Sequence, residues 1–507
     1  MTAICDPCAG VAGQAGLAPP DSVDRAEIVV VGAGFAGLAA AMALRRAGHD
    51  DVLVLERARA VGGTWRDNTY PGIACDVPSH LYGFRAHPNP DWSAVYAPGD
   101  EIRSYLEDVA RAEGIRPALD SPLWSAVWDG SERHWRLTVG GARPRVVRAA
   151  VLVLACGRLT EPTVPDVPGL DGFAGPSFHS ARWDHAVDLA GARVAVVGTG
   201  ASAVQLVPPL ARAAAASGGR VTLFQRTPAW IVPRGARPYT DDERHRFDDD
   251  PQALAALRAE LYAEGEDRFA SRSGDPAAAA RAQAVAQAHL AAQVADPALR
   301  AALTPDYAFG CKRVLLSDDF YPVLADGSVR LEPSALVRVA GDTLVADSGR
   351  RHRADVLVLA TGFASSRQPY AELVTGEGGE TLAQHWSTGM TAFASTVVSG
   401  FPNLFVLNGP NASLGHNSSV LMLEEQAGYL VRCLDRRGAD GVLRVRPEAE
   451  RTWTAEIDAA AADTPWVRGG CENWYVDRRS GRLTLLWPGT VEAFRDRLAV
   501  TDGSEFE

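Results

Sequence analysis

Apolar residues along this chain gather into short unbroken runs separated by polar and glycine-rich segments. Ile28 to Val31 is one such run and reads as a buried strand. Helix-forming residues follow it to a stop at Gly48, and a second strand, "DVLVLER", ends in Glu56. The same succession returns in "ARVAVVGTGASAVQLVPPLARAAAASGGRVTLFQR". Two further apolar strands, "VLVLACG" (Val151 to Gly157) and "DVLVLATGF" (Asp355 to Phe363), end in glycine; each is read as closing one domain and returning the chain to the other. The expected fold is α/β, with two Rossmann-like dinucleotide-binding domains and a helical insertion. One domain is split between residues 24–160 and 365–507, and the second occupies 188–239 and 305–364, with a linker over 161–187. Residues 240–304, rich in Ala, Arg and acids, are expected to form a helical subdomain that is a solvated decoration without chemistry. Residues 1–23 read as a loose tail.

Gly32, Gly34 and Gly37 lie between the first strand and helix in G-x-G-x-x-G spacing. In such a turn the first glycine makes the bend and the second lets the backbone approach a pyrophosphate. The third lets helix and strand pack closely, and the helix N-terminus offers free N–H groups to the phosphates. Glu56, ending the next strand, is placed to accept hydrogen bonds from ribose hydroxyls. In the second unit Gly198 and Gly200 hold the first two places and Ala203 the third. The strand after it ends in Gln225, Arg226 and Thr227 with no acid; a carboxylate would repel a 2′-phosphate that Arg can bind. The first site should therefore take an adenosine with a free ribose and the second NADPH, which suggests an electron path from nicotinamide to flavin.

Composition narrows the class. With 507 residues the chain exceeds one core, and 47% hydrophobic with 22% charged residues is ordinary for a globular protein. A net charge of −12 disfavours non-specific nucleic-acid binding. No apolar run reaches the roughly 18 residues of a spanning helix, and the N-terminus lacks the features of a signal peptide, so a soluble, cytoplasmic protein without a membrane partner is expected. Seven cysteines are too few and too scattered to staple the chain. Cys5 and Cys8 form a C-x-x-C within the tail and are read as structurally irrelevant; no histidine pairing argues for a metal. Among 50 basic residues, Lys312 is the only lysine, and it precedes Arg313.

Between the two glycine motifs, "FAGPSFHSARWD" resembles the F-x-G-x-x-x-H-x-x-x-W-[PD] fingerprint of type I Baeyer–Villiger monooxygenases at Phe173, Gly175, His179, Trp183 and Asp184. Related heteroatom-oxidising enzymes usually carry Tyr or Phe in place of Trp183. "GGTWRDNTYPGIACD" resembles a second pattern of the family at Gly62, Gly63, Trp65, Tyr70, Pro71, Gly72 and Asp76. The resemblance spans nearly the whole chain after residue 24. It implies FAD in the split domain and NADPH in the inserted one, with dioxygen and a ketone as reactants and an ester or lactone as product, formed through an anionic peroxyflavin.

The same resemblance implies roles for individual residues. Gly63, Thr64 and Trp65 join the cofactor-binding set. Lys312 contacts the NADPH 2′-phosphate beside Arg226 and Thr227, a task in which a compact ammonium is not freely exchanged for a guanidinium. Arg313 is the active-site arginine above the flavin, and Asp76 holds it. His179, with Trp183, resembles a hinge coupling the domains more than a general base. Trp474 in "CENWYVDRRSG" resembles a mobile active-site tryptophan, although the W-Y-x-G-A-N-like stretch of the cyclic-ketone members is absent. "NLFVLNGPNASLGHNSS" is expected to line the flavin ring, with Asn411 nearby. Three other functions stay open on sequence: a heteroatom monooxygenase, a pyridine nucleotide–disulfide reductase, and a non-catalytic flavoprotein. The reductase needs a cysteine pair near the flavin, and Cys75, Cys156, Cys311, Cys433 and Cys471 have no close partner in sequence.

Overall fold

The computed structural model describes residues 23–437, 441–501 and 503–507, so Cys5 and Cys8 lie outside the described residues. Strand Val23–Val31 is paired in parallel with Val52–Leu55 on one side and Arg145–Leu154 on the other, Val30 facing both Val54 and Val153. Ile28, Val29 and Val30 are wholly buried, which is why the apolar run is continuous: both faces of a parallel sheet are covered. Arg145–Leu154 changes partner along its length. Its first half pairs antiparallel with His134–Val139, and its end pairs in parallel with Leu404–Val406 from far along the chain. That pairing brings the C-terminal part into the first sheet.

The second sheet is wholly parallel, in the order Val329–Glu332, Arg220–Phe224, Arg193–Val197, Val356–Leu359, Ser177–His179. Within the 161–187 segment, then, three residues are an edge strand of this sheet. Helices Phe35–Arg46 and Ala201–Ala215 follow the leading strand of each sheet. Gly32 and Gly198 share a φ of +112°, and a Cβ would fall 2.3 Å from the Ala155 oxygen in one and 2.4 Å from the Ala360 oxygen in the other. Both turns are thus wedged against the glycine-ending apolar strands, and only glycine fits.

Four helices fill the insert: Asp241–Asp249, Pro251–Asp267, Pro276–Gln293 and Pro297–Leu303. The last three each begin at a proline behind an aspartate, Asp250, Asp275 or Asp296, whose carboxylate caps the first turn. The insert is not the solvated decoration expected from its composition. Arg258 donates to the His80 and Gly83 carbonyls at 2.8 Å. Glu266 accepts from Asn417 Nδ2 and the Val491 N–H at 2.9 Å. Composition cannot separate a solvent-facing arginine from one docked on a neighbour. Among the described residues, no helix is long and apolar enough to cross a membrane.

Candidate active site

A cavity of about 1850 Å³ runs between the sheets and is lined by both glycine turns, by Asp76 and Arg313, and by Trp474. At one end the turn of residues 32–37 opens into it. A Cβ on Gly34 would meet only the Gly63 backbone, no nearer than 3.5 Å, so a ligand can lie flat on the backbone there. The Glu56 carboxylate braces this turn: Oε2 accepts from the Ala33 N–H and Oε1 from the Ala58 N–H, both at 2.9 Å, and Arg66 Nη1 stands 3.0 Å away. A carboxylate has about four lone-pair sites, so acceptor capacity is left for a ribose on the cavity side. Gly63, Thr64 and Trp65 line the same end. Trp65 Nε1 donates to Tyr82 Oη at 3.3 Å, which fixes the indole.

At the other end, a Cβ on Gly200 would meet nothing within 4 Å, while Ala203 is wholly buried behind the turn. Thr199 Oγ1 donates to the Thr227 carbonyl at 2.8 Å, tying the turn to the next strand. Beyond Thr227 a smaller cavity of about 190 Å³ is lined by Arg226, Lys312, Tyr307 and Glu472. Lys312 Nζ sits 4.9 Å over the Tyr307 ring. Burial, and then the charge of Arg226, pull the Lys312 ammonium below its ordinary pKa. Arg226 and Lys312 thus share one recess, rimmed also by Asp306 and Glu472, where their two charges suit a phosphate dianion.

Arg313 reaches the cavity wall from the loop after the helical insert. Its Nε and Nη2 both donate to Asp76 Oδ2, at 2.8 and 2.6 Å. The Asp76 charge raises the guanidinium further above its ordinary pKa despite burial, so it stays cationic at any working pH. The Asp76 segment is docked on the second glycine helix. Tyr70 Oη donates to Gln205 Oε1 at 3.0 Å, and Gln205 Nε2 donates to the Ala74 carbonyl at 2.8 Å. One side chain thus fixes the motif of residues 70–76 from both ends. Trp474 lies against Tyr475, ring centroids 4.4 Å apart, and its carbonyl accepts from Ser365 Oγ at 3.3 Å.

Against known proteins, residues 30–98 match an NAD(P)-binding Rossmann-like domain and residues 131–241 a flavin-binding monooxygenase-like family. A Baeyer–Villiger monooxygenase of Streptomyces coelicolor is 45% identical over 96% of this chain and 93% of its own length. The chain belongs to the Baeyer–Villiger monooxygenase family. A Baeyer–Villiger monooxygenase of Pseudomonas aeruginosa is 37% identical over 96% of this chain and 92% of its own. The crystal structure of OTEMO in complex with FAD and NADP superposes with a TM-score of 0.83 at 26% identity, covering 97% of this chain and all of that one.

Not every residue singled out for this Baeyer–Villiger chain lines the cavity. His179 is buried at the edge of the second sheet, its Nδ1 accepting from the Ala181 N–H at 3.1 Å. That bond puts the proton on Nε2 and leaves no free basic nitrogen, and burial pushes the ring pKa down to about 4. Trp183 packs edge-on against Phe178, centroids 5.1 Å apart. Asn411 does not face the cavity. Its Nδ2 donates to the Leu483 and Leu486 carbonyls at 2.7 and 2.9 Å, while Asn408 and Asn417 of the same segment line the wall. The expectation of unstapled cysteines also fails: Cys311 and Cys471 form a disulfide across 160 positions. A pairing that distant leaves no trace in spacing. Two further groups were invisible in the sequence. Tyr475 is 1% exposed beside Arg313, and Arg158 lines the main cavity. The position of Arg158, just past the C-terminal end of a parallel strand, was the one available signal.

Proposed function

We propose that this chain is an NADPH- and dioxygen-dependent flavin monooxygenase that inserts one oxygen atom beside the carbonyl of a ketone, giving an ester or lactone. The observation that carries it is a permanently charged guanidinium, Arg313, fixed by Asp76 on the wall of a cavity with a phosphate cradle at each end. The residues at the first cradle fit FAD: Gly32, Gly34 and Gly37 would take the pyrophosphate, Glu56 the ribose, and Gly63, Thr64 and Trp65 the wall beside them. Gly198, Gly200 and Ala203 would take the NADPH pyrophosphate, with Arg226, Thr227 and Lys312 on its 2′-phosphate. When bound, the nicotinamide supplies the hydride and the flavin activates dioxygen.

Arg313 then stabilises the negative charge that develops as oxygen passes to the carbonyl, a term commonly worth ~100- to 1,000-fold in rate. Asp76 keeps the guanidinium aimed and raises its pKa. His179 and Trp183 act at the junction of the second sheet with the returning chain and move no proton. Trp474 walls the cavity, helping to keep out the water that would divert the oxidant. On this view 24–160 with 365–507 is the FAD domain and 188–239 with 305–364 the NADPH domain. The test is turnover of a panel of ketones under isotopically labelled dioxygen. One labelled oxygen in an ester, with NADPH consumed in equal amount, supports the assignment. Sulfoxides from thioethers with no ester from any ketone would move it to the heteroatom enzymes.

A further inference from the structure

Tyr475 is buried among three guanidiniums: the charges of Arg313, Arg272 and Arg158 all reach its phenol. Only Arg313 has a carboxylate, Asp76. Arg158 is 9% exposed and donates Nη2 to Ser413 Oγ, while its buried Nη1 has no hydrogen-bond partner among the described residues. Arg272, in the insert, runs past Gly415 and donates to the Arg268 carbonyl at 3.3 Å. Neither has an acid within 4.0 Å among the described residues. Burial lowers both guanidiniums to about 10, which leaves them charged at neutral pH.

A buried cation without a carboxylate is unfavourable, and Arg158 is one, its charge reaching Arg313 of the Arg313–Asp76 pair. Such an arrangement fits an anion that arrives with a ligand. The cofactor phosphates have cradles of their own, at Gly32–Gly34 and at Arg226–Lys312. Arg158 instead follows the end of strand Arg145–Leu154, on the wall that Arg313 shares. Building on the ketone monooxygenase assignment, we propose that Arg158 binds the carboxylate of a keto acid whose carbonyl lies at Arg313. Arg272, in the insert, adds to the positive potential at Tyr475 and Arg313. A fork of N–H donors suits a carboxylate, and Ser413 fixes one arm of that fork. Oxygen is inserted beside the carbonyl, and the carboxylate passes through unchanged.

The experiment compares kcat/KM for linear methyl keto acids, from levulinate upward, with the methyl ester of each, in the FAD-loaded enzyme with NADPH. The unmodified enzyme should favour the acid at one or more chain lengths by ~10- to 100-fold, the worth of a hydrogen-bonded charge pair. Arg158→Gln should erase that preference by raising KM for the acid, and Arg158→Lys should restore part of it. Equal kcat/KM for acid and ester throughout the series in the unmodified enzyme overturns the proposal, whether or not the variants fold. So does an acid preference that survives Arg158→Gln. A variant that loses FAD or slows flavin reduction equally for acids and esters would assign Arg158 to the cofactor instead. If uncharged ketones are oxygenated and acids gain nothing, the anion subsite falls and the monooxygenase stands; if no ketone reacts, both fall.

Discussion

At the scale of the residue, the two neighbours Lys312 and Arg313 divide the labour of the cavity. Arg313 lines the larger cavity, and its charge is secured by Asp76 at 2.6 and 2.8 Å. Arg313→Ala should leave the rate of flavin reduction by NADPH within a few-fold of normal while ester formation falls ~100- to 1,000-fold. Rapid-mixing absorbance for the first step and product analysis for the second separate the two. Near-normal ester formation would remove Arg313 from the chemistry. Lys312 faces the smaller cavity with Arg226, where neither pairs with an acid in a salt bridge among the described residues. Arg226→Ala combined with Lys312→Ala should bring kcat/KM for NADPH down to that for NADH. Equal use of both coenzymes by the unmodified enzyme would already contradict the assignment.

At the scale of the element, the Cys311–Cys471 bond couples two segments that the sequence holds far apart. One carries Lys312 and Arg313, the other Glu472, Trp474 and Tyr475, so the disulfide ties the floor of the smaller cavity to the wall of the larger. On a loop-closure model, a cross-link over so long a loop stabilises the chain by up to ~5 kcal/mol. Cys471→Ser, or mild reduction, should lower the melting temperature and raise KM for NADPH more than it lowers kcat. Unchanged melting after reduction, with two free thiols gained by mass, would show that the bond holds nothing. Much else at this scale was legible. Each glycine turn was readable because a buried parallel strand, a bend that only glycine permits and a helix leave a linear signature. Leu404–Val406 and the Gln205 clamp on residues 70–76 were not, because each joins positions more than a hundred residues apart. Asn411 was misjudged for a local reason: its amide is satisfied by backbone carbonyls, and a sequence does not show which way a side chain turns.

At the scale of the whole molecule, several buried histidines sit at seams between parts. His80 lies between the first domain and the insert, its ring 5.1 Å from Tyr239 and 4.6 Å from Phe247. His416 lies 3.5 Å from Glu266 of the insert, and His179 closes the edge of the second sheet. Burial lowers all three, His80 and His179 to about 4. Unfolded, each would titrate near ~6.5. Between about 6.5 and about 4 the unfolded chain therefore binds protons that folded His80 and His179 refuse, and stability falls as pH falls, by up to ~1.4 kcal/mol per pH unit for each of those two rings, with His416 acting in the same direction. His385, which Glu450 holds above its ordinary value in spite of burial, is protonated in both states through most of that window, and its stabilisation is lost instead as pH rises above about 6.5. Paired carboxylates such as Asp355, held down to about 2 by Arg193, give way only at lower pH. Melting temperature should thus decline as pH falls below about 6.5, with Glu424, held above its ordinary value by burial, partly opposing the fall, and should also slip as pH rises through the raised His385. His80→Phe, which keeps an aromatic ring between Tyr239 and Phe247, should make that decline shallower by one proton's worth. A melting temperature that stays flat down to about pH 4.5, or a slope that His80→Phe does not change, would show that these seams are open to water and that acid attacks the molecule elsewhere.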